Sequence, residues 1–207
     1  MNIDQLARHI ILQLASKQRF IVAVAGPPGA GKSTAASELN KSIALQKIRS
    51  CIVTMDGFHL DNTILRERNL LDRRGAPATF DAAGFIHLIK RLNRGEDNVV
   101  IPKFDREKDV AIAGAQEVTL LDRVLIVEGT YLLLNQQPWA NLQDEWNATI
   151  FINPGMDILE ERLIRRWRSY GLDPVEARKR ASINDLKNAQ TVVEYSLAAD
   201  FSFANLN

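Results

Sequence analysis

Short apolar runs alternate with longer amphipathic segments along this chain. The runs with the length and β-branched content of buried strands are FIVAVA (20–25), CIVTM (51–55), VVI (99–101), VLIVE (124–128) and TIFI (149–152). Helical periodicity predicts helices at about 32–47, 82–94, 137–146, 156–169 and 174–188. The first residues, with Ile3, Leu6, Ile10 and Leu14 at helical spacing, predict one more amphipathic helix. This alternation is typical of an α/β fold, in which a parallel sheet has helices on both faces.

Composition narrows the class of protein. With 207 residues, 46% of them hydrophobic, the chain can bury a core, and we expect a single domain over 1–207. Because 26 basic residues face 25 acidic ones, we expect no nucleic-acid partner. The one cysteine, Cys51, lies in an apolar run, which favours a buried thiol in a reducing compartment. No segment approaches the roughly 20 apolar residues of a membrane span, so we expect a cytoplasmic protein without membrane contact.

The first apolar run leads directly into GPPGAGKST, which matches the pattern G-x-x-x-x-G-K-[ST] of a phosphate-binding loop between a strand and a helix. Glycines let backbone N–H groups approach phosphate oxygens, Lys32 supplies a positive charge, and the Ser33 hydroxyl is a ligand for Mg²⁺. The start of the following helix also attracts the anion. The residues expected to bind ATP here are Gly26, Gly29, Ala30, Gly31, Lys32, Ser33 and Thr34.

Two further apolar runs end in acids, CIVTMD at Asp56 and VLIVEG at Glu128. In an open parallel sheet, ligands bind beyond the carboxyl ends of the strands, so both acids are expected to face the bound phosphates if their strands lie near the first. One acid can then hold the Mg²⁺ shell, and the other can accept the proton of an attacking hydroxyl. A helix cap or a solvated turn is the alternative for either acid taken alone.

Several arginines lie in MDILEERLIRRWRSYG (156–171), which also has an apolar stripe of Leu159, Leu163 and Ile164. Arginines three or four positions apart share one helix face, as Arg162 and Arg166 do. Such a face beside a nucleotide can neutralise the charge of transferring phosphate. A solvated helix, with Glu160 and Glu161 as ion partners, is the competing interpretation.

The order GPPGAGKST, TMDGFHLDN, RRGAPATFD, VVIPKFDREKD, VLIVEGTYLLL and ERLIRRW resembles the P-loop small-molecule kinases of the phosphoribulokinase, uridine kinase and type I pantothenate kinase group. Within that group it is most similar to proteins called fructose transport system kinases or uridine-kinase-like nucleoside triphosphate hydrolases. The resemblance covers about residues 20–200. It implies a three-layer P-loop NTPase fold with a short arginine-rich lid at about 162–182, and the use of ATP and Mg²⁺. Dimers are common among similar kinases, which makes a homodimer one expectation.

The same resemblance implies roles for individual residues. Asp56 stands at the position of the catalytic base, Lys32 and Arg166 complete the catalytic set, and Arg165 pairs with Arg166 at the nucleotide. Glu128 is expected near Mg²⁺, with Ser33, and near the substrate. The residues expected on the substrate side are His59, Glu128 and, in a loop predicted over PKFDREKD (102–109), Phe104, Asp105 and Arg106.

The chain departs from its relatives at two places on the acceptor side. The family often has tyrosine at the position of Phe104, so that hydroxyl is absent here. True uridine kinases have a ribose-binding acid near the position of Gly75, whereas RGAP with Phe80 and Asp81 is more similar to pantothenate and glycerate kinases. These departures argue against uridine as the acceptor.

The function predicted from the sequence is an ATP-dependent kinase that phosphorylates a hydroxyl of a small metabolite, with a sugar such as fructose as the first candidate. Pantothenate-, glycerate- or nucleoside-type kinases remain open, as does an accessory or regulatory nucleotide hydrolase with no small-molecule acceptor. A GTP-dependent switch is disfavoured because no N-K-x-D motif is present and the D-x-x-G at 81–84 follows no apolar strand.

Overall fold

The computed structural model describes residues 1–15 and 17–204. Five strands form one sheet in the order β2-β5-β1-β6-β7, and every neighbouring pair is parallel. These strands are β1 (Phe20–Ala25), β2 (Ser50–Thr54), β5 (Val124–Gly129), β6 (Ala148–Ile152) and β7 (Phe201–Phe203). The helices are α1 (Ile3–Leu14), α2 (Lys32–Leu45), α3 (Asn62–Glu67), α4 (Ala82–Asn93), α5 (Met156–Ser169), α6 (Pro174–Arg180) and α7 (Leu186–Tyr195). The predicted α/β class is confirmed.

The two faces of the sheet carry two separate cores, because successive side chains of a strand point to opposite sides. On β1, Ile21, Ala23 and Ala25 join a core that includes Phe85 of α4. The alternate residues Phe20, Val22 and Val24 join a second core, which includes Leu6 of α1 and Leu39 of α2. Helices therefore cover both faces, and β1 and β5 are buried throughout. The functional end of the sheet is the edge where β1, β2 and β5 terminate.

The prediction that 99–101 belongs to the parallel sheet is wrong. These residues open β3 (Val99–Asp105), which pairs antiparallel with β4 (Val110–Val118) in a separate two-stranded hairpin. The predicted loop over 102–109 is accordingly shorter, since Phe104 and Asp105 are still in β3. β4 was missed because it is exposed along most of its length and lacks the alternation of a half-buried strand.

Two helical predictions also need correction. The segment predicted as a helix over 137–146 forms a 3₁₀ helix, Trp139–Glu145. The helix predicted over 174–188 is divided by a π-helical turn, Ala181–Asp185, which separates α6 from α7. Periodicity cannot find such a turn, since both flanks are helical. Within residues 1–15 and 17–204, no helix has the length and apolar character needed to cross a membrane.

Candidate active site

The phosphate-binding loop connects β1 to α2, as its sequence predicts. Gly26, Gly29 and Gly31 all have positive φ angles, of 151°, 80° and 97°. At Gly26 a Cβ atom would lie 2.3 Å from the carbonyl oxygen of Ile152 on β6, so only glycine fits between the two strands there. The loop is therefore shaped by its glycines.

Lys32 and Ser33 begin α2 and face the end of β5. The Lys32 Nζ donates to the carbonyl oxygen of Pro27 at 2.9 Å, and the Ser33 Oγ lies 3.3 Å from Glu128 Oε2. Burial lowers the pKa of the Lys32 ammonium, while the negative charges of Glu128 and Asp56 oppose this effect. Burial raises the pKa of the Glu128 carboxyl, which is only 6% exposed, and the Lys32 charge opposes it. Lys32, Ser33 and Glu128 thus form one compact polar group.

The sheet order explains why the two predicted acids meet. β5 lies between β1 and β2, and Glu128 is in register with Val24 on one side and Thr54 on the other. Asp56 follows Thr54 by two residues, in a 3₁₀ turn that begins where β2 ends. Its negative charge acts on the pKa of both Lys32 and Glu128, so its carboxylate lies within electrostatic reach of the loop.

The hairpin closes the other side of Asp56. Arg106, in the turn after β3, donates from Nη2 to Asp56 Oδ2 at 2.6 Å. The Asp56 side chain is 25% exposed and that of Arg106 63%, so this ion pair borders solvent. The neighbouring Gly57 packs so tightly that a Cβ atom would lie 2.6 Å from the Pro102 carbonyl oxygen of β3. The hairpin backbone therefore sets the position of Asp56.

An aromatic wall continues from Asp56 along the acceptor side. The His59 ring stacks on Phe80 at 4.1 Å between centroids and on Phe104 at 5.0 Å. Burial lowers the pKa of His59 to about 4, so the imidazole is neutral at pH 7. Its Nδ1 is buried and has no hydrogen-bond partner among the residues that the structure describes. A ligand oxygen or N–H group beside this wall could satisfy that atom.

Three comparisons with known proteins agree with this geometry. Residues 21–189 match the family model described as the phosphoribulokinase / uridine kinase family. The chain belongs to this family. It is similar to a solved structure from Silicibacter sp. TM1040 described as a putative fructose transport system kinase, with 42% identity, a TM-score of 0.93 and 98% of each chain covered.

Two curated relatives span nearly the whole kinase. Escherichia coli (strain K12) YggC is 31% identical over 204 residues, which is 96% of this chain and 84% of YggC. A Schizosaccharomyces pombe protein named putative uridine kinase C227.14 is 29% identical, covering 98% of this chain and 90% of its own. The chain is therefore similar over nearly its whole length to relatives of which two have names that point to different acceptors, fructose for the Silicibacter protein and uridine for the Schizosaccharomyces protein.

Other predicted site residues of the kinase lie in different surroundings. Asp105 accepts hydrogen bonds from the backbone N–H groups of Glu107 and Lys108, which lower its pKa, so its carboxylate stabilises the hairpin turn. Arg165 is 70% exposed on the outer face of α5 and pairs with Glu161. The contacts of Asp105, which was expected on the substrate side, lie within its own turn, and the ion pair of Arg165, which was expected at the nucleotide, lies within α5. Their assigned roles stay predictions.

The inner face of α5 does reach the loop of the kinase. Arg162 Nη1 donates to the carbonyl oxygens of Gly29 and Ala30, at 3.3 and 3.2 Å. Arg166, one turn further, donates from Nη2 to Asp185 Oδ2 at 3.2 Å, and its positive charge lowers the pKa of Lys32. The predicted shared face of Arg162 and Arg166 is consistent with these contacts, whereas Arg168 is exposed.

Sequence reasoning missed Arg74 and Asp185, which connect parts of the site. Arg74 lies over the Phe104 ring at 5.6 Å and pairs with Asp109 at the hairpin tip. Asp185 joins α5 to the π-helical turn. Asp185 belongs to no recognisable motif, and the partners of both residues lie far away in the chain. Arg74 offered a signal, because it is the second arginine of the RRGAPATFD segment.

The donor set near the loop fits Mg²⁺. Mg²⁺ prefers hard oxygen ligands and commonly takes one or two from the protein, with phosphate and water supplying the rest. The Ser33 hydroxyl and the Glu128 carboxylate are oxygen donors 3.3 Å apart at the end of the loop. Glu128 and Ser33 are therefore the residues that would hold the ion.

Proposed function

We propose that this kinase transfers the γ-phosphoryl group of ATP to a hydroxyl of a small metabolite, and that a sugar is the first candidate acceptor. The observation that carries the proposal is the meeting of Lys32, Ser33, Glu128 and Asp56 at one edge of the sheet. A phosphate-binding loop alone serves many nucleotide-binding proteins. A second carboxylate within electrostatic reach of the loop suits the deprotonation of an acceptor hydroxyl.

Each residue then has one task. Lys32 and the backbone of the loop bind and orient the phosphates, and Asp56 accepts the proton of the acceptor hydroxyl. Arg166 balances charge on the transferring group. Mg²⁺, when held by Ser33 and Glu128, neutralises phosphate charge and orients the terminal phosphates. Because the transition state of phosphoryl transfer is loose, positioning and charge balance supply most of the rate enhancement.

The acceptor side supports a hydroxyl-rich ligand with an apolar face. The wall of His59, Phe80 and Phe104 offers ring surfaces, while Asp56 and the unpartnered His59 Nδ1 offer polar contacts. The name of the Silicibacter relative points to fructose. Pantothenate, glycerate and nucleosides are the alternative acceptors, and uridine is disfavoured by the RGAP segment.

We also propose that residues of about 162–182 act as the lid of a single kinase domain. The contacts of Arg162 with the carbonyl oxygens of Gly29 and Ala30 support this, because they join α5 to the phosphate-binding loop. Closing this segment over the nucleotide would exclude water from the reaction.

The test is ATP consumption with and without a panel of sugars, sugar acids, pantothenate, glycerate and nucleosides. Acceptor-dependent turnover is expected, and the Asp56→Asn variant should bind ATP normally yet lose about 10²- to 10⁴-fold in kcat. Asp61→Asn is the matched control, because Asp61 caps α3 with an exposed side chain and asparagine caps equally well.

A different outcome would favour the accessory or regulatory hydrolase. Slow ATP hydrolysis that no acceptor accelerates, and that Asp56→Asn leaves unchanged, would contradict the kinase proposal. Arg106 donates a hydrogen bond to one oxygen of Asp56. This contact is also compatible with a hydrolase in which Asp56 does not deprotonate an acceptor, so the test includes this alternative.

A further inference from the structure

The π-helical turn Ala181–Asp185 is the most polar buried segment near the site. Asn184, Asp185 and Asn188, on the turn and the start of α7, are 3%, 8% and 2% exposed. Single π-helical turns inside helices cost hydrogen-bond geometry and are frequent at functional sites. Three buried polar side chains within five residues, two of them on the turn, therefore call for a specific role.

Asp185 turns its carboxylate toward α5. It stands at the N-cap position of α7 but makes no side-chain capping hydrogen bond there. Its Oδ2 instead accepts from Arg166 Nη2 at 3.2 Å and from Trp167 Nε1 at 2.6 Å. Capping of its own helix thus does not explain this buried acid. Its hydrogen bonds determine where the end of α5 points.

One N–H donor of the Arg166 guanidinium makes a hydrogen bond within the protein, and another has no acceptor among the described residues. Its Nη2 is held by Asp185, while its buried Nε has no hydrogen-bond partner in the described part of the chain. A buried N–H group without an acceptor is costly, unless a ligand oxygen completes it. The guanidinium is close enough to the phosphate-binding loop for its charge to act on the Lys32 ammonium. A phosphate oxygen is the acceptor that this location offers.

The same turn also holds the acceptor side. Asn184 Nδ2 donates to the backbone oxygen of Arg74 at 2.6 Å, and Asn188 Oδ1 accepts from Arg73 Nη2 at 3.4 Å. Asn184 and Asp185 are adjacent in the chain, and together they connect the segment RRGAP (73–77) to α5. An acceptor that orders this loop would also stabilise the turn that holds Arg166.

We propose that Asp185 is a positioning residue for phosphoryl transfer: it holds Arg166 through Nη2 so that the remaining donors of the guanidinium are directed at the transferring phosphate. The inference rests on the proposed function, because it takes Arg166 as part of the phosphate site. A planar guanidinium held by a carboxylate keeps its other donors in a fixed direction. Asp185 itself touches no substrate.

The experiment compares, by calorimetry of the full chain with Mg²⁺, the affinity for ADP and for ADP with aluminium fluoride, which mimics the phosphoryl group during transfer. The wild type is expected to gain affinity from the fluoride. Asp185→Asn should leave ADP affinity unchanged and reduce that gain about tenfold or more. In an Arg166→Ala background, adding Asp185→Asn should cost nothing further, because Asp185 acts through Arg166.

Trp167→Phe is the matched control, since it removes the other hydrogen bond to the same oxygen of Asp185 and should keep the gain. The proposal would be overturned if Trp167→Phe lost as much of the fluoride-dependent affinity gain as Asp185→Asn does. It would also be overturned if Asp185→Asn weakened ADP binding as much as it reduces the gain, or if it reduced the gain further in the Arg166→Ala background. If Asp185→Asn does not fold, Arg166→Lys replaces it, because an ammonium lacks the planar set of donors that a carboxylate can hold in a fixed direction. An undiminished gain in that variant would also overturn the proposal. A wild type without any gain would refute the proposed phosphoryl transfer together with this inference.

Discussion

Protonation of His59 is expected to destabilise the fold as the pH falls from about 6.5 to about 4. The half-buried imidazole packs against Phe80 and Phe104, and this burial lowers the pKa of His59 from 6.5 to about 4. Asp56 and Asp109 favour the charged form, while Arg74 and Arg106 oppose it. Burial, reinforced by the two arginines, outweighs the two acids, so the folded state binds the proton less readily than the unfolded state.

The size of the effect follows from the two pKa values. A difference of about 2.5 pH units at about 1.4 kcal/mol per unit corresponds to roughly 3 kcal/mol. The sign is that of a group whose pKa is lowered on folding: the stability is fully present above pH 6.5, decreases between 6.5 and 4, and changes no further below the folded pKa.

The assay is urea unfolding at pH 7, 5.5 and 4, comparing the wild type with His59→Gln and with His87→Gln. Glutamine does not titrate, so the free energy of unfolding of His59→Gln should lose about 3 kcal/mol less than the wild type over this range. His87 is an exposed histidine on α4, and its variant should keep the acid dependence of the wild type. Parallel curves for the wild type and His59→Gln, or an NMR titration of His59 near pH 6.5, would refute the reasoning.

Three further predictions concern the phosphate site. Lys32→Ala should weaken ATP binding roughly ten- to hundredfold, measured by calorimetry, since a charge-assisted contact contributes about 1.5–3 kcal/mol; unchanged affinity would contradict its role. Glu128→Gln should raise the Mg²⁺ concentration needed for half-maximal turnover by about 10- to 100-fold, and an unaltered Mg²⁺ titration would remove Glu128 from the metal shell. Gly57→Ala should lower kcat roughly tenfold or more with little change in ATP affinity, because its Cβ would lie 2.6 Å from the Pro102 oxygen and displace Asp56; wild-type kcat would show that the position of Asp56 tolerates this shift.

Much of the fold and the phosphate site could be predicted because their signals are local. Strand β1 is buried on both faces, so its sequence is a continuous apolar run. The apolar stripe of α5 predicted a helix over 156–169, and these are the bounds in the structure. The loop from Gly26 to Ser33 needs glycine at the positions where its backbone φ angle is positive. The glycine pattern in the sequence therefore predicts the backbone conformation of the loop. Asp56 and Glu128 could be inferred because parallel strands end at a common edge.

The acceptor side could not be predicted in the same way, because its contacts join residues far apart in the chain. The stacking of His59 on Phe104, and the hydrogen bond of Asn184 with Arg74, depend on how the hairpin and α7 pack, not on any local spacing. An exposed strand such as β4 lacks the alternation that burial imposes.

The sequence by itself determined the α/β class, the phosphate-binding loop and the acids at the strand ends. These features depend on backbone sterics and on the burial of residues that are close together in the chain, so a local pattern is enough to predict them. Only the tertiary structure decided that 99–118 forms a hairpin beside Asp56, that Arg165 faces solvent, and that Asp185 holds Arg166. Those outcomes depend on which surfaces pack together, and packing follows from shape complementarity across the whole chain.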